Sequence, residues 1–453
     1  MEKFGKIIRR VSLLLEEKNY EHVAKFADDK FLNEDAPATL FFQIGIALSQ
    51  LKRDNESLKF YSNALKKNPD FWQARHNRGT LLLQGGEFEA SINDFKHALR
   101  IRDNVDTRIN LGIALNNFAT AFAEAGKIED ALKNYLQCAE YKPICNEAVR
   151  NLYSLLAQVP YLFSDFEKIL IFQLSETEFE DAIINHCYRM IINLLSGNIE
   201  QFKLAHKNLG ISLFENNKLN ETSFDVKFAT SYFNMLGQFV RDEFEFHTKD
   251  KCPKIYHLGE SHSLSFTHQH IVVHGQKMTI RPRINFGAKV WHLVNTRPNR
   301  YKGILKLHVE SVPKNSIVFL SFGEIDCRQD EGYLKKHQGH TKTLEQSIRS
   351  DLKKYASMIS DLFSSHNTEV FIFSVPAPVI LNPVLSDQDQ AQISVIKFFN
   401  NTLQQMSKIY NLGYVDTYKL TANKEGFSNK IFHSDERHLS ARILPELKIN
   451  IKH

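Results

Sequence analysis

Apolar positions in the first 250 residues recur every three or four places, the period of helices that bury one face. A longer period lies over this one. Gly45 and Gly79, Tyr61 and Phe95, and Ala64 and Ala98 are each 34 residues apart. A third unit follows an insertion of about six residues, with Ala119 at the glycine position. Small residues fall where two antiparallel helices cross, and large ones where the next pair stacks. Residues 1–37 read as a degenerate capping helix pair, and residues 146–250 stay helical without the repeat spacing. From Lys254 the pattern changes. Short apolar runs at 254–259, near 278–285, 316–322, 369–375 and 413–418 alternate with long amphipathic stretches at 343–365 and 388–411. This alternation predicts a mostly parallel sheet with helices on both faces. In such sheets ligands bind beyond the carboxyl ends of the strands.

The repeating unit resembles the tetratricopeptide repeat (TPR). Phe41, Ile44, Gly45, Leu48, Tyr61, Ala64 and Pro69 carry the match in the first unit, and Ala131, Tyr135 and Pro143 in the third. The resemblance covers about residues 38–145. It implies stacked helix pairs whose concave groove holds a peptide or another protein; the other reading is an array that props up the second half.

Three polar clusters follow predicted strands: Gly259-Glu260-Ser261-His262-Ser263, Gly323-Glu324-Ile325-Asp326-Cys327-Arg328, and His433-Ser434-Asp435-Glu436-Arg437-His438-Leu439-Ser440. Their order, Ser then Asp three places before His, resembles the SGNH/GDSL hydrolase superfamily over about residues 254–445. The first block of that superfamily has Asp where this chain has Glu260. The Gly-x-Ser-x-Gly elbow of α/β-hydrolases is absent. The two resemblances together give the expected fold: a TPR solenoid (1–155), a helical connector (156–250) and an SGNH-like, flavodoxin-like three-layer α/β domain (251–453).

The resemblance implies Ser261 as nucleophile, His438 as its base and Asp435 as the group that orients the imidazole. It implies oxyanion donors at the Ser261 N–H, a backbone N–H of the second block, assigned to Gly287, and a third-block asparagine. That asparagine is absent, because the third block reads Gly323-Glu324-Ile325-Asp326. Arg328 is the preferred substitute donor and Asn285 the second; a structural Glu324–Arg328 ion pair stands equally open, with Asp326 lining the same site.

Charge sharpens the two-part reading. Residues 1–250 hold 30 Lys and Arg against 35 Asp and Glu, while residues 251–453 hold 27 against 17 and 13 of the 19 histidines. The basic half favours an anionic partner. Residues 277–306 carry Arg281, Arg283, Lys289, Arg297, Arg300 and Lys302 without an acidic residue, open to a carboxylated sugar, a phosphate or a nucleotide, or to no ligand at all. No zinc-finger or RNP signature supports nucleic-acid binding. His268, His270 and His274 are read as rim histidines ahead of a metal site, and His257 and His262 as flanking the nucleophile, in contact with substrate or in structural hydrogen bonds. His337 and His340 are read as a solvated loop ahead of a lid. Five cysteines without a CxxC pair read as reduced thiols, and the 34 phenylalanines read as core. No cofactor or metal is implied. No apolar run reaches the ~18 residues of a membrane span. Without a cleavable signal the chain is expected in the cytosol.

The leading expectation is an SGNH-type esterase or O-acyltransferase, acting on acetyl or a similar group of a carbohydrate, which the basic stretch allows to be anionic. The rival is a non-enzymatic TPR adaptor whose second half is a degenerate ligand-binding domain, favoured by Ile325 and Glu260. A glycosyltransferase fits poorly, since about 200 residues leave no room for a second α/β lobe.

Overall fold

The computed structural model describes residues 2–28, 32, 35–141, 146–162, 179–216, 223–241, 244–337, 341–365, 367–382 and 384–449. The chain divides into two compact units, Met1–Phe122 with Glu129–Asn151, and Ala123–Ile128 with Leu152–His453. The helices at 179–241, expected as a connector, therefore belong to the unit that holds the sheet.

The first unit is a helical solenoid. After the helices Glu2–Glu16 and Tyr20–Lys25 come three antiparallel pairs: Ala38–Gln50 with Asp54–Lys67, Trp72–Gln84 with Phe88–Ile101, and Val105–Glu124 with Ile128–Ala139. One device repeats in the first two pairs. A Cβ at Gly45 would lie 2.7 Å from the Tyr61 ring, and one at Gly79 would lie 2.9 Å from the Phe95 ring. The helices thus cross at a distance that only glycine tolerates. A serine on the second helix ties the crossing: Ser57 Oγ donates to the Gly45 carbonyl (2.7 Å) and Ser91 Oγ to that of Gly79 (2.8 Å). In the third pair Ala119 is buried, and Thr120 Oγ1 meets the Tyr135 hydroxyl at 2.9 Å. Gly79→Val drives two methyl groups toward the fully buried Phe95. It is expected to lower stability by about 1–3 kcal/mol, read from the shift of the urea midpoint.

The second unit is built on six strands: β1 (Lys254–Gly259), β2 (His270–Val273), β3 (Gln276–Ile284), β4 (Ile317–Ser321), β5 (Glu369–Phe373) and β6 (Gly413–Val415). Their spatial order is β2-β3-β1-β4-β5-β6. Only the β2–β3 pairing is antiparallel, so the sheet is mixed. Five of the strands fall on the apolar runs read from the sequence. β2 does not; its run His270-Ile271-Val272-Val273 is short and follows polar residues, and it exists because a tight hairpin returns it onto β3.

Leu258, Val318, Leu320, Val370 and Ile372 point to one face of the sheet. There they share a core with Leu305 and Val309 of the helix Arg300–Glu310, Ile348 and Tyr355 of Thr341–Ser364, and Phe399 and Leu403 of Asp387–Ile409. The expected second helical layer differs in origin. The opposite face carries His257, Phe319, Phe371 and Phe373 in ring contact, with Phe266 over them. The helices that precede the sheet bond to this unit through Gln158 Oε1, which accepts from the Phe286 N–H (2.8 Å), through Gln238 Oε1, which accepts from the Ala441 N–H (3.1 Å), and through the Leu194 carbonyl, which accepts from His268 (2.7 Å). None of the described helices is long and apolar enough to cross a membrane.

Between β1 and its two neighbours the chain turns first to β3 on one side and then to β4 on the other. A crevice therefore opens past the carboxyl end of β1, where the connections diverge.

Candidate active site

Gly259 ends β1, and the backbone is held there on both sides. Its carbonyl accepts from the Asn285 N–H (2.7 Å), and the Glu260 N–H donates to the Ser321 carbonyl (3.2 Å). The chain then turns into a 3-10 segment, Ser261–Leu264, which presents Ser261 at its first residue, 8% exposed. The Ser263 hydroxyl donates back to the Glu260 carbonyl (2.8 Å) and closes the turn.

Ser261 Oγ lies 2.8 Å from His438 Nε2, and His438 Nδ1 lies 2.8 Å from Asp435 Oδ2. The last two groups sit in a closed loop. The Asp435 carboxylate accepts the Arg437 and His438 N–H groups (2.7 Å each), the Ser434 N–H donates to the His438 carbonyl (2.8 Å), and His433 bridges to Leu439. Burial alone would raise the Asp435 carboxyl. The His438 hydrogen bond and charge, with the two N–H donors, hold it down at about 2 instead. The structure thus brings Ser261, His438 and Asp435 into one hydrogen-bonded chain across 177 residues of sequence.

A second chain meets the same hydroxyl. Ser261 Oγ is 2.7 Å from Glu260 Oε2, and Glu260 Oε1 is 2.9 Å from His262 Nδ1. His262 Nε2 reaches the Arg437 carbonyl at 3.1 Å. A carboxylate and a carbonyl can only accept, so both His262 nitrogens must donate and the ring is an imidazolium. Burial would lower its pKa, but the charge and hydrogen bond of Glu260 reverse that and hold it well above the ordinary histidine range. Burial likewise disfavours the Glu260 carboxylate, and the His262 charge overrides it and holds this pKa low. The ring of His262 lies 5.0 Å from that of His438, so a fixed positive charge faces the imidazole bonded to Ser261.

The Ser261 and Gly287 N–H groups have no acceptor among the described residues. Gly287 is exposed and adopts φ +66°, and nothing lies within 4 Å of where its Cβ would be. The remaining donors expected from the sequence are engaged elsewhere. Arg328 binds both Glu324 oxygens (2.9 and 3.0 Å from Nε) and Glu331 (2.5 Å). That geometry is the structural ion pair. Asn285 Nδ2 donates to the Tyr301 carbonyl (2.8 Å). Asp326 is buried and accepts the Val290 N–H (2.9 and 3.0 Å), tying the β4 loop to the segment after Gly287. Burial pushes its carboxyl up to about 7. Ile325 is buried, and its side chain has no donor to offer.

The basic stretch is partly used internally. Arg281 contacts His268 and donates to the His247 and Thr248 carbonyls, while Arg283 stacks over Tyr161 and donates to Ser311. Lys289 pairs with Glu331 at 3.4 Å and Arg300 with Glu124 at 3.8 Å. The three histidines after β1 face different partners. His268 meets Arg281 and the Leu194 carbonyl, His270 meets Asp250 at 2.6 Å, and His274 meets Glu369 at 2.9 Å. His247, Asp250 and His270 do bring three possible ligand atoms together, as do Glu260, His262 and Glu324. Asp250 already binds Lys254 and Thr279, and Glu324 binds Arg328, so a cation stands in each place. His257 is buried between Phe266 and Phe373, and burial lowers its pKa to about 3. His337 stacks near Tyr333; His340, Pro143 and Cys145 lie outside the described residues.

Sequence reasoning missed the doubly donating role of His262, although its place beside Glu260 in a Gly-Glu-Ser-His run was visible. It also missed the aromatic residues that the helix Phe224–Leu236 brings to Phe286.

Residues 73–143 match the family model for the tetratricopeptide repeat. The N-terminal part is a TPR region. Among solved structures, the chain is similar to PilF of Pseudomonas aeruginosa (9% identity, 51% of this chain and 97% of that one, TM-score 0.31). It is also similar to YrrB, described as a TPR protein with an unusual peptide-binding site (16% identity, 43% and 92%, TM-score 0.29), and to MamA of Desulfovibrio magneticus RS-1 (15% identity, 39% and 98%, TM-score 0.27). No curated protein matches the sequence. TPR repeats of this kind point to a protein partner.

Proposed function

We propose that the sheet-containing unit is a serine-dependent acyl-ester enzyme of SGNH type, a hydrolase or an O-acyltransferase acting on an acylated carbohydrate, and that the TPR region binds a protein or peptide client. The hydrogen-bonded chain Ser261–His438–Asp435 carries this reading. Ser261 Oγ attacks the ester carbonyl carbon while its proton passes to His438 Nε2. Asp435 holds Nδ1–H and stabilises the imidazolium that results. The carbonyl oxygen becomes an oxyanion, for which the open Ser261 and Gly287 N–H groups are the available donors. Collapse of the intermediate breaks the ester C–O bond, His438 returns its proton to the departing alcohol, and an acyl-serine remains. Water completes hydrolysis, and a sugar hydroxyl completes transfer. Ile325 leaves the site without a third side-chain donor, a lack that costs about 10²- to 10³-fold in rate. That same feature supports the second reading, an adaptor with a ligand-binding domain.

A fluorophosphonate probe separates the two. The full chain is expected to gain one covalent phosphonyl adduct by intact mass, and Ser261→Ala to gain none. A wild-type chain that stays unlabelled between mildly acid and mildly alkaline pH would leave the adaptor reading.

A further inference from the structure

Phe224, Phe228 and Tyr232 are spaced four apart on the helix Phe224–Leu236, so their rings share one face. Neighbouring rings touch, with centroids 6.2 Å apart for Phe224–Phe228 and 4.6 Å for Phe228–Tyr232. Exposure grades along the row. Tyr232 is 7% exposed, Phe228 half-buried and Phe224 78% exposed. Phe286 meets Phe228 and Tyr232 edge-on, each at 5.6 Å, and Tyr188 packs beside it at 6.0 Å.

The buried end of this row lies at the candidate active site. Phe286 is the chain neighbour of Gly287, and Asn285 is bonded to the strand end that leads into Ser261. The Tyr232 hydroxyl has no hydrogen-bond partner among the described residues. Single exposed phenylalanines are ordinary on a protein surface. A continuous row that begins with an unpartnered hydroxyl on the ring packed against Phe286 and ends in an exposed phenylalanine needs another account.

We propose that this row is a subsite for a sugar ring, over which the acylated carbohydrate lies with its ester directed to Ser261. This rests on the acyl-ester reading. A pyranose presents polarised C–H bonds on one face and hydroxyls around its edge. The C–H face is attracted by the negative face of an aromatic ring, while the hydroxyls stay hydrated. A surface open to water on one side suits such an amphipathic ligand, and the Tyr232 hydroxyl supplies the polar anchor at the buried end. A long acyl chain would need a closed apolar channel to remove it from water, and Phe224 offers none.

Two variants of the full chain test this, Phe224→Ala at the exposed end and Phe228→Ala at the centre, with a mono-O-acetylated methyl glucoside as the probe. The KM is expected to rise about fivefold to tenfold with kcat little changed, the split expected when stacking acts equally on ground and transition states. Saturation-transfer NMR of the Ser261→Ala chain with the same glucoside gives a readout without turnover. Its sugar C–H signals are expected, and they are lost when Phe228→Ala is added. An unchanged KM and unchanged transfer in both variants overturn the subsite. A loss seen only with 4-nitrophenyl octanoate places an acyl chain on the rings and also overturns it. Sugar transfer retained without a fluorophosphonate adduct overturns the acyl-ester reading and leaves the subsite standing.

Discussion

Asp435→Asn is expected to lower kcat for 4-nitrophenyl acetate by about 10⁴-fold without unfolding the chain. The asparagine keeps the carbonyl oxygen that accepts the Arg437 and His438 N–H groups, so the loop geometry is retained. What changes is the group facing His438 Nδ1. An amide NH₂ is a donor, and it selects the tautomer with its proton on Nε2. That nitrogen then points a hydrogen at Ser261 and cannot accept one. Glu260 is the only other acceptor bonded to the hydroxyl among the described residues, at 2.7 Å. Its carboxylate is held far down the pKa scale by His262, so it is a weak base and does not substitute. The kcat is measured alongside thermal unfolding. A variant within tenfold of the parent chain would mean that the imidazole tautomer is irrelevant, and the proposed proton path would fall.

The same loop shows why part of this site was legible in the chain. Asp435 and His438 are three apart, and both ends of their hydrogen bond come from one short segment, so spacing carries the information. Ser261 was legible because the turn that presents it follows an apolar run directly, at the end of the strand where the flanking connections diverge. Arg328 was less legible. Its partners Glu324 and Glu331 were in view, but whether a guanidinium binds them or faces the pocket depends on how the β4 loop folds. The TPR array was readable because a glycine and an aromatic ring meet within each of the first two units, 34 residues apart. The row Phe224-Phe228-Tyr232 looked like one side of an ordinary buried helix. Periodicity marks an apolar face, but it does not say whether protein or solvent covers the outer end. The arginines at 281 and 283 left an anionic ligand and a bare basic surface equally open for a related reason. A run of like charges in sequence does not show which side chains turn inward to carbonyls and aromatic rings.

His262→Ala is expected to destabilise the chain by about 3–5 kcal/mol at neutral pH, the cost of leaving a buried carboxylate without its partner. Glu260 is 1% exposed, and the variant leaves it the Ser261 hydroxyl and one long backbone N–H bond. The loss depends on pH in a direction that follows from the pair. His262 has a raised folded-state pKa, about 9, so its contribution is complete below the ordinary histidine value and fades as pH rises through the raised one. Glu260 is lowered, so its contribution is present above the ordinary glutamate value and fades as pH falls. In His262→Ala the Glu260 pKa moves up, since burial now acts unopposed and the carboxyl gains stability by taking a proton. The stability gap between parent and variant therefore narrows from pH 7 toward pH 5, as measured by urea unfolding. It also narrows as pH rises from the ordinary histidine value toward 9, the window in which the parent loses the contribution of its imidazolium. Adding Glu260→Gln to His262→Ala removes the stranded charge and is expected to recover a large part of the loss. A double variant as unstable as the single one, with a gap that does not move with pH, would place the effect in lost ring packing. The fixed positive charge beside His438 would then have no support.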